Sequence, residues 1–276
     1  MFKSIMRYAV VPGLLLSFGA GLASADFKKF VIRNDSSGNS PEIKINNTYS
    51  SGATEFVISA SGMKAGWGSN DANGATISQL QNMSITRLDD ISRFTAGSGQ
   101  AVAPYFNIWV TDGAGKYAVI ANMPSNPEYQ PLFVDNQDGS KTYKMNYENL
   151  KTFRAFVYET PGGGYSGTSS WIHTQLGKTG QNLTFEDIKD LQIEAPDADY
   201  ITNPDNAVGT GAPDELGTNI AYGFNWVFGD TLSNYVSGDE GYVVKDPSVD
   251  VPEPTTLALL ATGGLLALRK RRQKKA

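Results

Sequence analysis

The sequence predicts an all-β fold, a jelly-roll-like β-sandwich with one or two short helices, preceded by a signal helix and followed by a short C-terminal transmembrane helix. Three observations carry this prediction. Between residues 26 and 250 the chain holds 24 glycines and 19 asparagines, which supply the positive-φ positions of turns, and 27 aromatic residues, which favour strands. Roughly ten short segments alternate as strands do, with turn residues between them. Helix signals are scarce. No fixed repeat is present, which argues against a propeller or solenoid, and no linker cuts the stretch in two.

Residues 1–25 read as a secretory signal peptide. Lys3 and Arg7 give the basic start and Ala9 to Leu22 the apolar stretch. Ala23-Ser24-Ala25 is a small-x-small signature, so Ala23 and Ala25 are the expected signal-peptidase positions and Asp26 the new N-terminus. The sandwich is assigned to 26–246. Its strand candidates are Phe30–Ile32, Ile43–Ile45, Glu55–Ser59, Ser84–Leu88, Phe153–Glu159, Leu191–Glu194, Tyr222–Phe228 and Tyr242–Lys245. The clearest is the hairpin of Tyr105–Thr111 and Tyr117–Ala121, turning through Asp112-Gly113-Ala114-Gly115-Lys116. Thr184 is placed to cap a short helix over 185–190 with Asp187 at the capping-box position, and 231–235 is a second candidate turn of helix. Pro196–Thr218 reads as a long loop.

Composition excludes several chemistries. There are no cysteines and one histidine, so thiol nucleophiles and multi-histidine zinc sites are impossible. Region 26–250 carries 15 Lys+Arg against 27 Asp+Glu, a net charge of −12, which argues against a nucleic-acid partner. His173 would have to be the base of any Ser-His-Asp triad, and Gly164-Tyr165-Ser166-Gly167 lacks the nucleophile-elbow spacing. No catalytic residue is assigned and the chain is read as a non-enzyme. No cofactor is expected. Structural calcium is a candidate at two oxygen-rich loops, Asp135–Gly139 and the acidic stretch from Asp197, although Asp and Asn also hold turns through their own backbone.

Ligand-binding candidates are aromatic. On the Tyr105 strand, Phe106, Ile108 and Val110 share one face, and Tyr105, Asn107, Trp109 and Thr111 the other. Exposed, the second face would stack sugar rings on Tyr105 and Trp109; buried, it is core with polar tips at the rim. Trp67 and Trp171 read as loop aromatics able to make similar contacts.

Residues 247–276 read as a stalk and a tripartite tail. Pro252-Glu253-Pro254 is followed by an uncharged run from Thr255 to Leu268 and by the basic cluster Arg269-Lys270-Arg271-Arg272 with Lys274 and Lys275. Fourteen residues at ~1.5 Å each span roughly 21 Å, short of a ~30 Å hydrocarbon core, so the anchor is marginal. Basic residues after an apolar run stay cytoplasmic, which places the preceding domain outside, in agreement with the signal peptide.

This tail resembles the PEP-CTERM sorting signal of exported proteins in Gram-negative bacteria. The resemblance implies recognition of Pro252, Glu253 and Pro254 by an exosortase, a transient inner-membrane anchor facing the periplasm, and a destination at the cell surface or in the extracellular matrix. It also implies a setting of exopolysaccharide and biofilm. The expectation is an envelope or matrix protein whose sandwich serves adhesion or carbohydrate binding, with signal peptidase, exosortase and exopolysaccharide as partners. A polysaccharide hydrolase or lyase on the same sandwich, and a structural surface component without a specific ligand, are the alternatives.

Overall fold

The computed structural model describes residues 26–89, 104–122, 133–160, 167–203, 206, 221–229 and 238–252. The expected signal peptide, the candidate helix at 231–235 and the apolar and basic parts of the tail lie outside them. In chain order the strands are β1 (Lys28–Arg33), β2 (Glu42–Ile45), β3 (Thr54–Val57), β4 (Lys64–Ser69), β5 (Asn82–Arg87), β6 (Tyr105–Thr111) and β7 (Tyr117–Ala121). There follow β8 (Phe133–Asp135), β9 (Lys141–Met145), β10 (Arg154–Thr160), β11 (Leu183–Thr184), β12 (Gln192–Ile193), β13 (Phe224–Gly229) and β14 (Tyr242–Asp250). Three short helices, α1 (Tyr147–Leu150), α2 (Trp171–Gln175) and α3 (Ala198–Thr202), sit between strands. Among the described residues, no helix is long and apolar enough to cross a membrane.

Two antiparallel sheets result. The eight-stranded sheet has the order β1-β4-β13-β6-β7-β10-β11, with β12 paired to the far end of β6. The six-stranded sheet has the order β2-β3-β14-β5-β9-β8. Sequence neighbours β3 and β4 lie in opposite sheets, as do β5 and β6, and β13 and β14. β14 inserts between β3 and β5 while β13 inserts between β4 and β6, so a long antiparallel ribbon is rolled across both sheets. The result is an all-β sandwich of two antiparallel sheets.

Strand periodicity sets the core. Phe106, Ile108 and Val110 of β6, Ala118 and Ile120 of β7 and Phe224, Trp226 and Phe228 of β13 point inward. They meet Phe56 of β3, Met83 and Ile85 of β5, Tyr143 and Met145 of β9, and Val244 and Val249 of β14. Phe56 and Phe228 stack at 4.0 Å between centroids across the two sheets. The outer faces differ. On the six-stranded sheet the outer face is a polar ladder, with Thr86 and Thr142 hydroxyls 3.0 Å apart and those of Ser84 and Ser248 2.8 Å apart. On the eight-stranded sheet the outer face carries two further apolar clusters and is itself covered.

The hairpin falls at its predicted residues, and its turn follows the expected chemistry. Gly113 and Gly115 take φ of 71° and 96°, and the Asp112 carboxylate accepts the N–H groups of Ala114 and Lys116. Other elements depart from the expectation. Residues 185–190 form successive turns rather than a helix, although the predicted cap is made: Thr184 N–H donates to Asp187 at 2.9 Å. β8, β9 and α1 lie where no element was expected. The stalk assigned from residue 247 is instead the second half of β14, where Ser248, Val249 and Asp250 pair with Ser84, Met83 and Asn82. A bulge at Asp246 (φ 51°) and Pro247 interrupts the ladder, so the proline costs no hydrogen bond.

Candidate functional site

The C-terminal junction is held tightly. Asn82 donates its side-chain amide to Asp250 at 2.9 Å, and Gln81 N–H donates to the Asp250 carbonyl at 2.9 Å. Val249 is buried and Val251 packs against the core. Pro252 is exposed and ends the described chain; Glu253, Pro254, Arg269, Lys270, Arg271 and Arg272 lie beyond it. The sandwich therefore continues to within a residue or two of the Pro-Glu-Pro triplet. At the other end Ala23 and Ala25 also lie outside the described residues, while the Asp26 N–H donates to Asp71 at 3.1 Å.

The four aromatic candidates are all buried. Trp109 is 0% exposed and packs with Val119, Ile201 and Ala221, with Tyr117, Tyr158 and Tyr200 around them. Helix α3, capped by Asp197 accepting from Tyr200 N–H, thus lies over this part of the outer face. Tyr105 belongs to the second outer cluster, with Phe30, Ile32 and Val227. Trp67 is not a loop residue but the centre of β4, edge-on to Phe27 and beneath the Lys29 ammonium at 5.1 Å. Its glycine neighbours reflect packing: a Cβ on Gly66 would meet the Phe30 ring, and one on Gly68 would meet Asn225 and Tyr222. Trp171 opens α2, with its indole N–H donating to the Tyr117 carbonyl at 3.2 Å. The face of Tyr105 and Trp109 is therefore covered rather than an open stacking platform.

The same face holds a feature that periodicity alone did not single out. Asn107 and Asn225 are directly opposed on β6 and β13, and both are buried. Asn225 donates to the Tyr222 carbonyl at 2.8 Å, but its side-chain Oδ1 and both side-chain polar atoms of Asn107 have no partner among the described residues. The signal for them was the Asn interrupting each aromatic strand.

The other polar candidates have structural work. His173 is buried in α2, where its Nδ1 lies 2.7 Å from the Ser170 hydroxyl of the cap. In the Asp135–Gly139 loop, Asp135 accepts from Gln137 N–H and Asp138 from Ser140 N–H, as turn-forming acids do. Among the described residues, no group of three or more acids or histidines converges to hold a metal.

Several carboxyl groups lie below the usual carboxylate range. Asn39 hydrogen bonds lower Asp35, Ser140 lowers Asp138, and the Tyr147 hydroxyl lowers Glu186. Burial pushes Asp187 up, but the Lys178 ammonium and the Thr184 hydrogen bonds outweigh it. Tyr147, desolvated and bonded to Glu186, is pushed up to about 12. Depressed folded-state carboxyl values favour the fold while the groups are ionised. That stability is complete above the unfolded value of about 4 and is lost as pH falls through the folded values. Thermal melts should thus show a midpoint that declines on acidification below about pH 4. Asp187→Asn should flatten the decline. A midpoint that rises on acidification would contradict this assignment.

The fold and its C-terminal junction define a β-sandwich module continuous with a tripartite tail. Residues 250–272 match the family model of the PEP-CTERM protein-sorting motif, beginning at the last residue of β14. The motif marks an exported protein that is sorted by an exosortase, its processing partner, through a transient membrane anchor. No curated protein and no solved structure matched the chain.

Proposed function

We propose that the mature protein is a non-enzymatic component of the cell surface or extracellular matrix, whose sandwich adheres to polysaccharide. The observation that carries this reading is the sorting motif at 250–272, fused without a spacer to a strand in the interior of a sheet. It delivers a rigid module to a setting rich in exopolysaccharide. Jelly rolls also serve as lectin domains, which supports the reading by analogy of architecture. The acidic balance of 26–250 directs the expectation to neutral rather than anionic glycans. The test is a glycan array with the mature exported protein, run with and without calcium. Retention on neutral glycans is expected. Absence of binding to every glycan in both conditions would overturn the adhesive role and leave the sorting route untouched.

A further inference from the structure

A cleft of about 440 Å³ opens where the residues before β1 meet the β2–β3 turn and the β14 bulge. Asp26, Phe27, Ser51, Trp67, Lys245 and Asp246 are among its lining residues. We propose that this cleft binds one or two rings of a neutral, hydroxyl-rich saccharide. The inference rests on the polysaccharide reading above and assigns it a place.

Three observations converge. Trp67 lines the cleft and is 8% exposed, so an occupant would lie against its edge, and its indole N–H has no acceptor among the described residues. Second, the lining carries both signs of charge. Asp26 pairs with Lys28 at 2.8 Å, and Lys245 lies 3.8 Å from Asp246. Carboxylate acceptors, the Ser51 hydroxyl and the Lys245 ammonium suit groups that both donate and accept, as sugar hydroxyls do. An anion would face two aspartates, and a cation would face Lys245. Third, the volume falls in the range of roughly 300–1,000 Å³ typical of small-molecule sites, and Phe27 offers an apolar ring beside the polar groups.

The cleft also joins both processing events. Cleavage after Ala25 turns the Asp26 N–H, already donating to Asp71, into an ammonium on the cleft wall. The bulge on the opposite wall lies five residues before Pro252. The mature protein therefore carries a positive charge at Asp26 that the precursor lacks.

The test follows the Trp67 indole N–H resonance in ¹⁵N-labelled mature protein during titration with cellohexaose, mannohexaose and a hexagalacturonate. The neutral hexasaccharides should shift it. Ser51→Ala and Asp246→Asn, both exposed and compatible with folding, should each weaken binding about tenfold. Asparagine tolerates the positive φ of position 246. Three results would overturn the cleft assignment: binding that leaves Trp67 and both variants unaffected, preference for hexagalacturonate, or no binding at all. All three leave the polysaccharide reading standing, since that reading falls only if the glycan array shows no binding.

Discussion

Replacing Asp89 by alanine is expected to destabilise the protein by about 3–5 kcal/mol, because it breaks a buried ion pair by removing one partner. Asp89 and Arg87 are 0% and 1% exposed in their side chains and form an ion pair at the end of β5. The Asp89 carboxylate also accepts the Val243 N–H at 2.9 Å, joining the residue after β5 to β14. The Arg87 guanidinium lies over the Tyr242 ring at 5.4 Å. Truncating the acid removes the buried counter-charge and the acceptor of the Val243 N–H. The double variant Arg87→Met/Asp89→Leu should recover most of the loss, since a well-packed apolar pair avoids desolvating two charges. Urea unfolding of the three proteins measures this. An Asp89→Ala loss under about 1 kcal/mol would show that the pair is solvated in practice.

Gly229→Ala should be comparably severe, at about 3 kcal/mol or more, by a different mechanism. Gly229 ends β13 opposite Lys64 with φ of 82°, a conformation that disfavours any side chain. An added Cβ would also press on the Met63 carbonyl oxygen and lie 2.7 Å from the Ile58 side chain. The first neighbour is backbone and cannot swing away. Gly113→Ala is the control: φ is 71°, but a Cβ there meets nothing within 4 Å. It should cost only the conformational penalty of about 1–2 kcal/mol. Equal effects at the two positions would show that crowding at Gly229 contributes nothing.

The hairpin was legible because Asp112, Gly113 and Gly115 encode a turn by local chemistry and the flanking strands alternate cleanly. The faces of β6 were legible as well: Phe106, Ile108 and Val110 enter the inter-sheet core. What covers the opposite face was not, because periodicity assigns a side and says nothing about α3 and Ala221 arriving from about ninety residues downstream to pack on Trp109. Trp67 was misread for a related reason. Its flanking glycines resemble a loop, yet they exist to admit Phe30 and Tyr222 over β4. The continuation of β14 past Pro247 was hidden because proline reads as a strand stop, and only the partner strand reveals the bulge that accommodates it. β9 did carry an alternating Tyr143 and Met145, which the acidic turn before it overshadowed. The tail needed no tertiary information, since its signal is linear and its match coincides with the residues that sequence order marked.

The central claim is that this sandwich is exported and then released from a short anchor through the Pro-Glu-Pro triplet. An epitope placed after Ala276, followed beside an antibody to the sandwich in fractionated cells, tests it most directly. The wild-type chain should yield an exported sandwich that has lost the epitope, and Glu253→Ala should hold the epitope-bearing precursor in the inner membrane. Normal maturation of Glu253→Ala, or the epitope detected outside intact cells, would contradict the account.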